Sequence, residues 1–145
     1  MRGTYCLVVS LSSDSSLRVG SLGVREFPAG IYVYVGSALS GIEKRVSRHR
    51  SAKKKKRWHV DYLLDRAEVL SIIAIPTDRK STECEVFQAL ASCEGASVPV
   101  NGFGSSDCRC KSHLICYGDA DPELVAEIIS MRLSMLETVY QRKVG

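Results

Sequence analysis

The sequence predicts an α+β fold, a small sheet with helices packed on it, in one domain spanning residues 1–145. Two observations predict it. Short apolar runs rich in β-formers, at residues 4–9, 31–35, 69–75 and 114–117, alternate with segments whose apolar residues recur at helical spacing. The 145 residues are 45% hydrophobic, enough for a core, with no internal repeat or linker composition to divide them.

Each element has a local reason. Residues 4–9, Thr-Tyr-Cys-Leu-Val-Val, are apolar on both faces and read as a buried strand. Residues 11–16 are serine-rich and loop-like. Residues 17–19 and 24–27 flank Gly20-Ser21-Leu22-Gly23 and read as a small hairpin. In the strand at 31–35, Ile31, Val33 and Val35 point one way, and Tyr32 and Tyr34 the other. A helix follows to about His49, with Ser40 and Glu43 spaced as a capping box and Leu39, Ile42 and Val46 as its apolar stripe. A short helix is expected at 58–64 and a second buried strand at 69–75, stopped by Pro76. Ser81 or Thr82 can cap a helix through Ala91, with Val86, Phe87 and Leu90 inward. Residues 95–109 are loop-like and 114–117 form a short strand. Pro122 opens a last helix to about Tyr140, with Leu124, Ile128, Met131, Met135 and Leu136 inward.

Charge is unevenly placed. The net charge is +4, but residues 43–58 hold nine Lys/Arg against one Glu. This block is an electrostatic footprint for a polyanion, nucleic acid or another phosphate polymer. Its candidate contacts are Arg48, Arg50, Lys53, Lys54, Lys55, Lys56 and Arg57. No apolar run has membrane-spanning length and no signal-peptide pattern opens the chain, so a cytoplasmic protein with six reduced cysteines is the expectation.

The richest chemistry lies in residues 34–49. A strand ends in Tyr34-Val35-Gly36, and the next helix presents Arg45 and His49 one turn apart on one face. Tyrosine, arginine and histidine so placed form a cluster able to handle a phosphate. Tyr-x-Gly followed by Arg-x-x-x-His resembles the second half of the GIY-YIG nuclease signature. The first half, a Gly-x-Tyr on a neighbouring strand, has two candidates. Gly30-Ile31-Tyr32 spells it literally, but Tyr32 lies only about 7 Å along the same strand from Tyr34. Gly3-Thr4-Tyr5 opens a separate strand and fits better, leaving the hairpin at 17–27 as an insert. Trp58-His59-Val60-Asp61-Tyr62-Leu63-Leu64, and the run from Phe103 to Leu114, resemble a largely uncharacterised prokaryotic branch of that superfamily, sometimes fused to endonuclease III-type glycosylases.

The resemblance implies a mainly antiparallel central sheet and metal-dependent hydrolysis of phosphodiesters, in DNA, during repair or recombination. It assigns Arg45 to the scissile phosphate. Tyr5 or Tyr34 would orient or deprotonate water, and His49 is an alternative base or a phosphate contact. A glutamate on a later helix would hold one Mg²⁺ or Mn²⁺; Glu83 is preferred over Glu85, because apolar Val86 and Leu90 follow it at helical spacing. A repair protein is a possible partner. The competing reading is a nucleic-acid-binding module on the same fold without catalysis. Cys108, Cys110, His113 and Cys116 are poorly spaced for a closed zinc site, and His113 and Cys116 would face opposite ways on a strand.

Neutralising residues 53–57 should weaken binding to every nucleic-acid sequence alike. The slope of log affinity against log salt should fall by about 0.9 for each phosphate no longer neutralised by the protein. Anisotropy titrations across a salt series check this, and an unchanged slope would count against it.

Overall fold

The computed structural model describes residues 2–38, 41–51, 55–106 and 108–144. In chain order the elements are β1 (Gly3–Leu11), β2 (Ser15–Arg18), β3 (Val24–Phe27), β4 (Gly30–Ala38), α1 (Ile42–Arg50), α2 (His59–Leu63), β5 (Glu68–Pro76), α3 (Thr82–Ala91), β6 (Leu114–Cys116) and α4 (Pro122–Val144). The fold is α+β. A four-stranded sheet of order β5-β1-β4-β6 has every neighbour antiparallel. The paired β2 and β3 form the inserted hairpin between β1 and β4.

β1 and β4 take the two inner positions because both are apolar on both faces. Their alternation divides the core. Tyr5, Leu7, Val9, Tyr32 and Tyr34 pack with Ile42 of α1, Val60 and Leu63 of α2, and Phe27 of the hairpin. Cys6, Val8, Val33 and Val35 pack on the other face with Val86, Phe87 and Leu90 of α3 and Val125 and Ile129 of α4. The functional chemistry described below collects where the first face meets the loop between α3 and β6.

Two expectations are corrected. Residues 69–75 are not fully buried: β5 is an edge strand, its residues are half-buried or exposed, and Leu70 is 40% exposed. The inward stripe of α4 is Val125 and Ile129, with Ile128, Leu133 and Leu136 partly covered, while Leu124, Met131 and Met135 are exposed. Both stripes are apolar in sequence, and contact with the sheet selects between them. The first helix begins after Gly41, and the expected Ser40 cap and Leu39 lie outside the described residues.

A buried ion pair ties α1 to α2. Asp61 is fully buried; its carboxylate accepts Arg48 Nη1 at 2.8 and 3.0 Å and the backbone N–H groups of Arg57 and Trp58 at 2.8 and 3.0 Å. Burial opposes ionisation of Asp61, but these donors outweigh it and hold the carboxyl below its usual range. Its contribution to stability is therefore present above the ordinary carboxylate pKa and lost as pH falls through the lowered one. Asp61→Ala leaves Arg48 and two N–H groups without their acceptor, and should cost about 3–5 kcal/mol. Chemical denaturation at neutral pH measures that loss.

Candidate active site

The site begins with register. β1 and β4 pair Tyr5 with Gly36 and Leu7 with Tyr34, which sets both tyrosines on one sheet face with ring centroids 6.3 Å apart. Gly36 is required by close approach. A Cβ there would lie 2.5 Å from Cζ and Oη of Tyr5 and 3.0 Å from Cε2 of Tyr34. The glycine of Tyr-x-Gly is thus the floor on which the Tyr5 ring lies. Tyr5 Oη shares a 2.7 Å hydrogen bond with Nε2 of His49, which α1 brings down onto the sheet.

Arg45 sits one turn before His49 on α1. Its Nη1 donates to the Ser37 carbonyl at 3.1 Å, and its guanidinium stacks 4.1 Å from the Trp58 ring. Arg45, Tyr34 and Glu83 together line a cavity of about 570 Å³, with Arg57, Trp58, His59 and Lys80 among its other walls. Glu83 enters from the first turn of α3. Glu85, two residues on, turns away and accepts from Arg79 at 2.9 Å, so helical phase separates the two carboxylates as expected.

Burial is the main force raising the pKa of both phenols. Tyr5 and Tyr34 are pushed well above the ordinary tyrosine value, with Glu83 adding to the rise and Arg45 opposing it. Both rings therefore present protonated hydroxyls near neutral pH. They suit hydrogen bonding and orientation, and a base role for either depends on nearby positive charge.

The remaining expected residues divide. His49, expected as an alternative base or a phosphate contact, is only 3% exposed and bonded to Tyr5, so its ring meets the cavity through Tyr5. Arg48 is held by Asp61 and stacks 4.2 Å from Trp58, so its charge serves the fold rather than a polyanion surface. Lys56 pairs with Asp65 at 2.9 Å, and Lys55 is exposed. Arg57 lines the cavity, while Arg50 borders a separate depression with His49 and Asp65. Lys53 and Lys54 lie outside the described residues.

Sequence reasoning missed His59. Its Nδ1 accepts the Gly104 N–H at 2.8 Å, which leaves the proton of the neutral ring on Nε2. Burial pushes its pKa down. The available signal was its position beside Trp58, directly after the basic run.

A model of the family described as "Domain of unknown function DUF123" matches residues 4–135. The chain belongs to the DUF123 family. No curated protein and no solved structure matches it. The matched stretch contains Tyr5, Tyr34, Arg45, His49 and Glu83.

This DUF123 chain also brings together a set of soft ligands. Sγ of Cys84, Cys108 and Cys110 and a ring nitrogen of His113 all lie within 4.8 Å of one another, and this group could hold a metal ion. His113 Nε2 is 3.4 Å from Cys108 Sγ and 3.8 Å from Cys84 Sγ. Burial and neighbouring thiols push Cys84 up, and burial is also the largest cause of the rise at Cys110. The expectation of a poorly spaced cysteine cluster is corrected by Cys84, which arrives from α3. Cys116 takes no part: its Sγ accepts the Gly118 N–H at 3.4 Å, and it packs with the tyrosine face of the sheet. Three thiols and an imidazole do not suit Mg²⁺, which takes oxygen ligands.

Gly36→Ala tests the floor of the site. A methyl at that position must displace the Tyr5 ring, with an overpacking cost of about 1–3 kcal/mol. The expected result in thermal or denaturant melts is a destabilised but folded protein. An unchanged melt would show that the rings yield freely.

Proposed function

We propose that this chain is a GIY-YIG-type endonuclease that hydrolyses phosphodiester bonds in nucleic acid, DNA first among candidates, in repair or recombination. One observation carries the reading: Tyr34, Arg45 and Glu83 line a single cavity, with the Tyr5–His49 pair packed against Tyr34. These residues come from separate strands and helices, and the resemblance in sequence assigns the same residues.

The residues suit the chemistry. In hydrolysis a water oxygen attacks phosphorus, one P–O ester bond breaks, and charge grows on the non-bridging and leaving oxygens. Arg45 is a permanent cation, held toward the cavity by Ser37 and Trp58, and is placed to stabilise that charge. The Tyr34 hydroxyl orients the attacking water. Tyr5, bonded to His49, fixes the Tyr34 ring and offers a route for a proton to an imidazole. The positive charge of Arg45 is the local influence that favours a phenolate, against the burial that disfavours it.

Glu83 fits the implied divalent ion. Mg²⁺ and Mn²⁺ are commonly held by one or two carboxylates plus water and phosphate oxygens, and Glu83 offers such a carboxylate on a cavity wall. When bound there, the ion would supply Lewis-acid stabilisation of the leaving oxygen. Arg57 at the rim and Lys80 add positive potential for a polyanion.

The test is cleavage of branched, nicked and single-stranded labelled substrates with Mg²⁺ or Mn²⁺. Arg45→Ala and Glu83→Ala should each lower the rate by about 10²–10³ while melting as folded proteins. Tyr34→Phe should slow cleavage because it removes only the hydroxyl, and Glu85→Ala should be milder than Glu83→Ala. Wild type that binds but cuts none of these substrates would establish the binding module instead. Full activity in Arg45→Ala would overturn the site assignment.

A further inference from the structure

We propose that Cys84, Cys108, Cys110 and His113 bind one Zn²⁺ in a closed tetrahedral site, which fastens a wall of the cavity to α3 and sets the His113 ring against Glu83.

The spacing of the ligand atoms carries the proposal. Zinc takes sulfur at about 2.3 Å and nitrogen at about 2.0–2.1 Å, so tetrahedral ligands stand about 3.5–3.8 Å from one another. His113 Nε2 stands 3.4 Å from Cys108 Sγ and 3.8 Å from Cys84 Sγ, and all four ligand atoms lie within 4.8 Å of one another. Slight side-chain rotation completes the tetrahedron. Three sulfurs and one imidazole satisfy zinc fully and leave no open position, the mark of a structural rather than a catalytic ion. The same soft ligands select against the hard divalent ions proposed for Glu83.

The surrounding chain explains what such an ion would do. Between α3 and β6 runs a long loop with no helix or strand of its own, tied among the described residues by the isolated bridge from Ser97 to Cys116 and by turn bonds such as Gly102 N–H to the Lys111 carbonyl. Loops of that length without secondary structure are uncommon in compact domains, and a metal cross-link is one way to hold one in place. Its stretch around Gly104 and Ser106 lines the cavity, and Gly104 lies close under Tyr34: a Cβ there would sit 3.0 Å from Tyr34 Cε1. Cys108 and Cys110 follow directly in this loop. Cys84 stands next to Glu83 on α3. An ion joining the three sulfurs cross-links the cavity wall to the helix that carries the candidate metal-binding carboxylate.

His113 couples the two centres. It is fully buried, and its backbone is pinned by the Phe103 carbonyl at 2.7 Å and the Val35 N–H at 2.9 Å. Nε2 faces the thiols, while Nδ1 lies 2.8 Å from Glu83 Oε1. That approach is short but falls outside hydrogen-bond geometry. Zinc on Nε2 would fix the ring's proton on Nδ1, the nitrogen beside the carboxylate, and a small turn of the Glu83 side chain would let that acid orient a zinc-bound histidine. Zinc binding stands independently of the nuclease reading; only the consequence for Glu83 rests on it.

The experiment uses the full chain, purified under reducing conditions without chelator, with metal content read by plasma mass spectrometry. One zinc per chain is expected. Replacement by Co²⁺ should give the intense visible bands of a tetrahedral thiolate site. Cys84→Ser and Cys108→Ser should each weaken zinc binding at least about tenfold. Cys93→Ser should keep the zinc, since Cys93 lies outside the cluster and its hydroxyl replacement can still donate to the Ala89 carbonyl. Because a ligand variant can misfold, wild type is also stripped with a strong chelator. Hydrogen exchange should then speed up in residues 103–113 and return to its starting rate on adding Zn²⁺. Wild type that stays substoichiometric after Zn²⁺ is added, or Cys84→Ser that binds zinc as tightly as wild type, overturns the site. Bound zinc without cleavage of any substrate overturns only the nuclease reading, and cleavage without zinc overturns only this one.

Discussion

The antiparallel register of β1 and β4 is the constraint on which the site depends. It sets Tyr5 across from Gly36 and leaves Tyr34 on the same face, two residues before that glycine. A slip of one residue would send a strand's side chains to the opposite face, and the tyrosines would meet α3 and α4 instead of α1. Because Gly36 has no side chain, the Tyr5 ring crosses close over it and reaches His49. The hydrogen bond to His49 then fixes α1 in rotation, and that rotation carries Arg45 to the cavity.

Trp58 and Asp61 organise the charge around this frame. Two guanidiniums, Arg45 and Arg48, stack on one indole, and repulsion between them is relieved by the buried carboxylate that holds Arg48. Such cation–π contacts are worth about 0.5–2 kcal/mol each, depending on desolvation. The basic block is therefore not a uniform polyanion surface. Part of it is consumed by the fold, and Arg45 and Arg57 remain at the cavity.

α3 serves several environments within one turn. Glu83 faces the cavity and His113, Cys84 faces the thiols, Glu85 pairs with Arg79, and Val86 enters the core. About 100° of rotation per residue accounts for the divergence. It also sends a carboxylate and a thiol that are side by side in sequence into different surroundings.

Local periodicity made much of this legible in the sequence. The alternation of Tyr32 and Tyr34 against Ile31, Val33 and Val35, the one-turn spacing of Arg45 and His49, and the preference for Glu83 over Glu85 all follow from the period of a strand or helix. That Tyr5 would stand beside Tyr34 on a neighbouring strand, while Tyr32 lies along Tyr34's own strand, needed only the geometry of extended strands. Periodicity names the faces of an element but not what each face meets. Only the tertiary structure decided that Arg48 would be bound to Asp61, that Val125 and Ile129 rather than Leu124 and Met131 would face the sheet, and that Cys84 would meet a histidine 29 residues away. Those outcomes depend on contacts between elements distant in sequence, selected by the packing of the whole core.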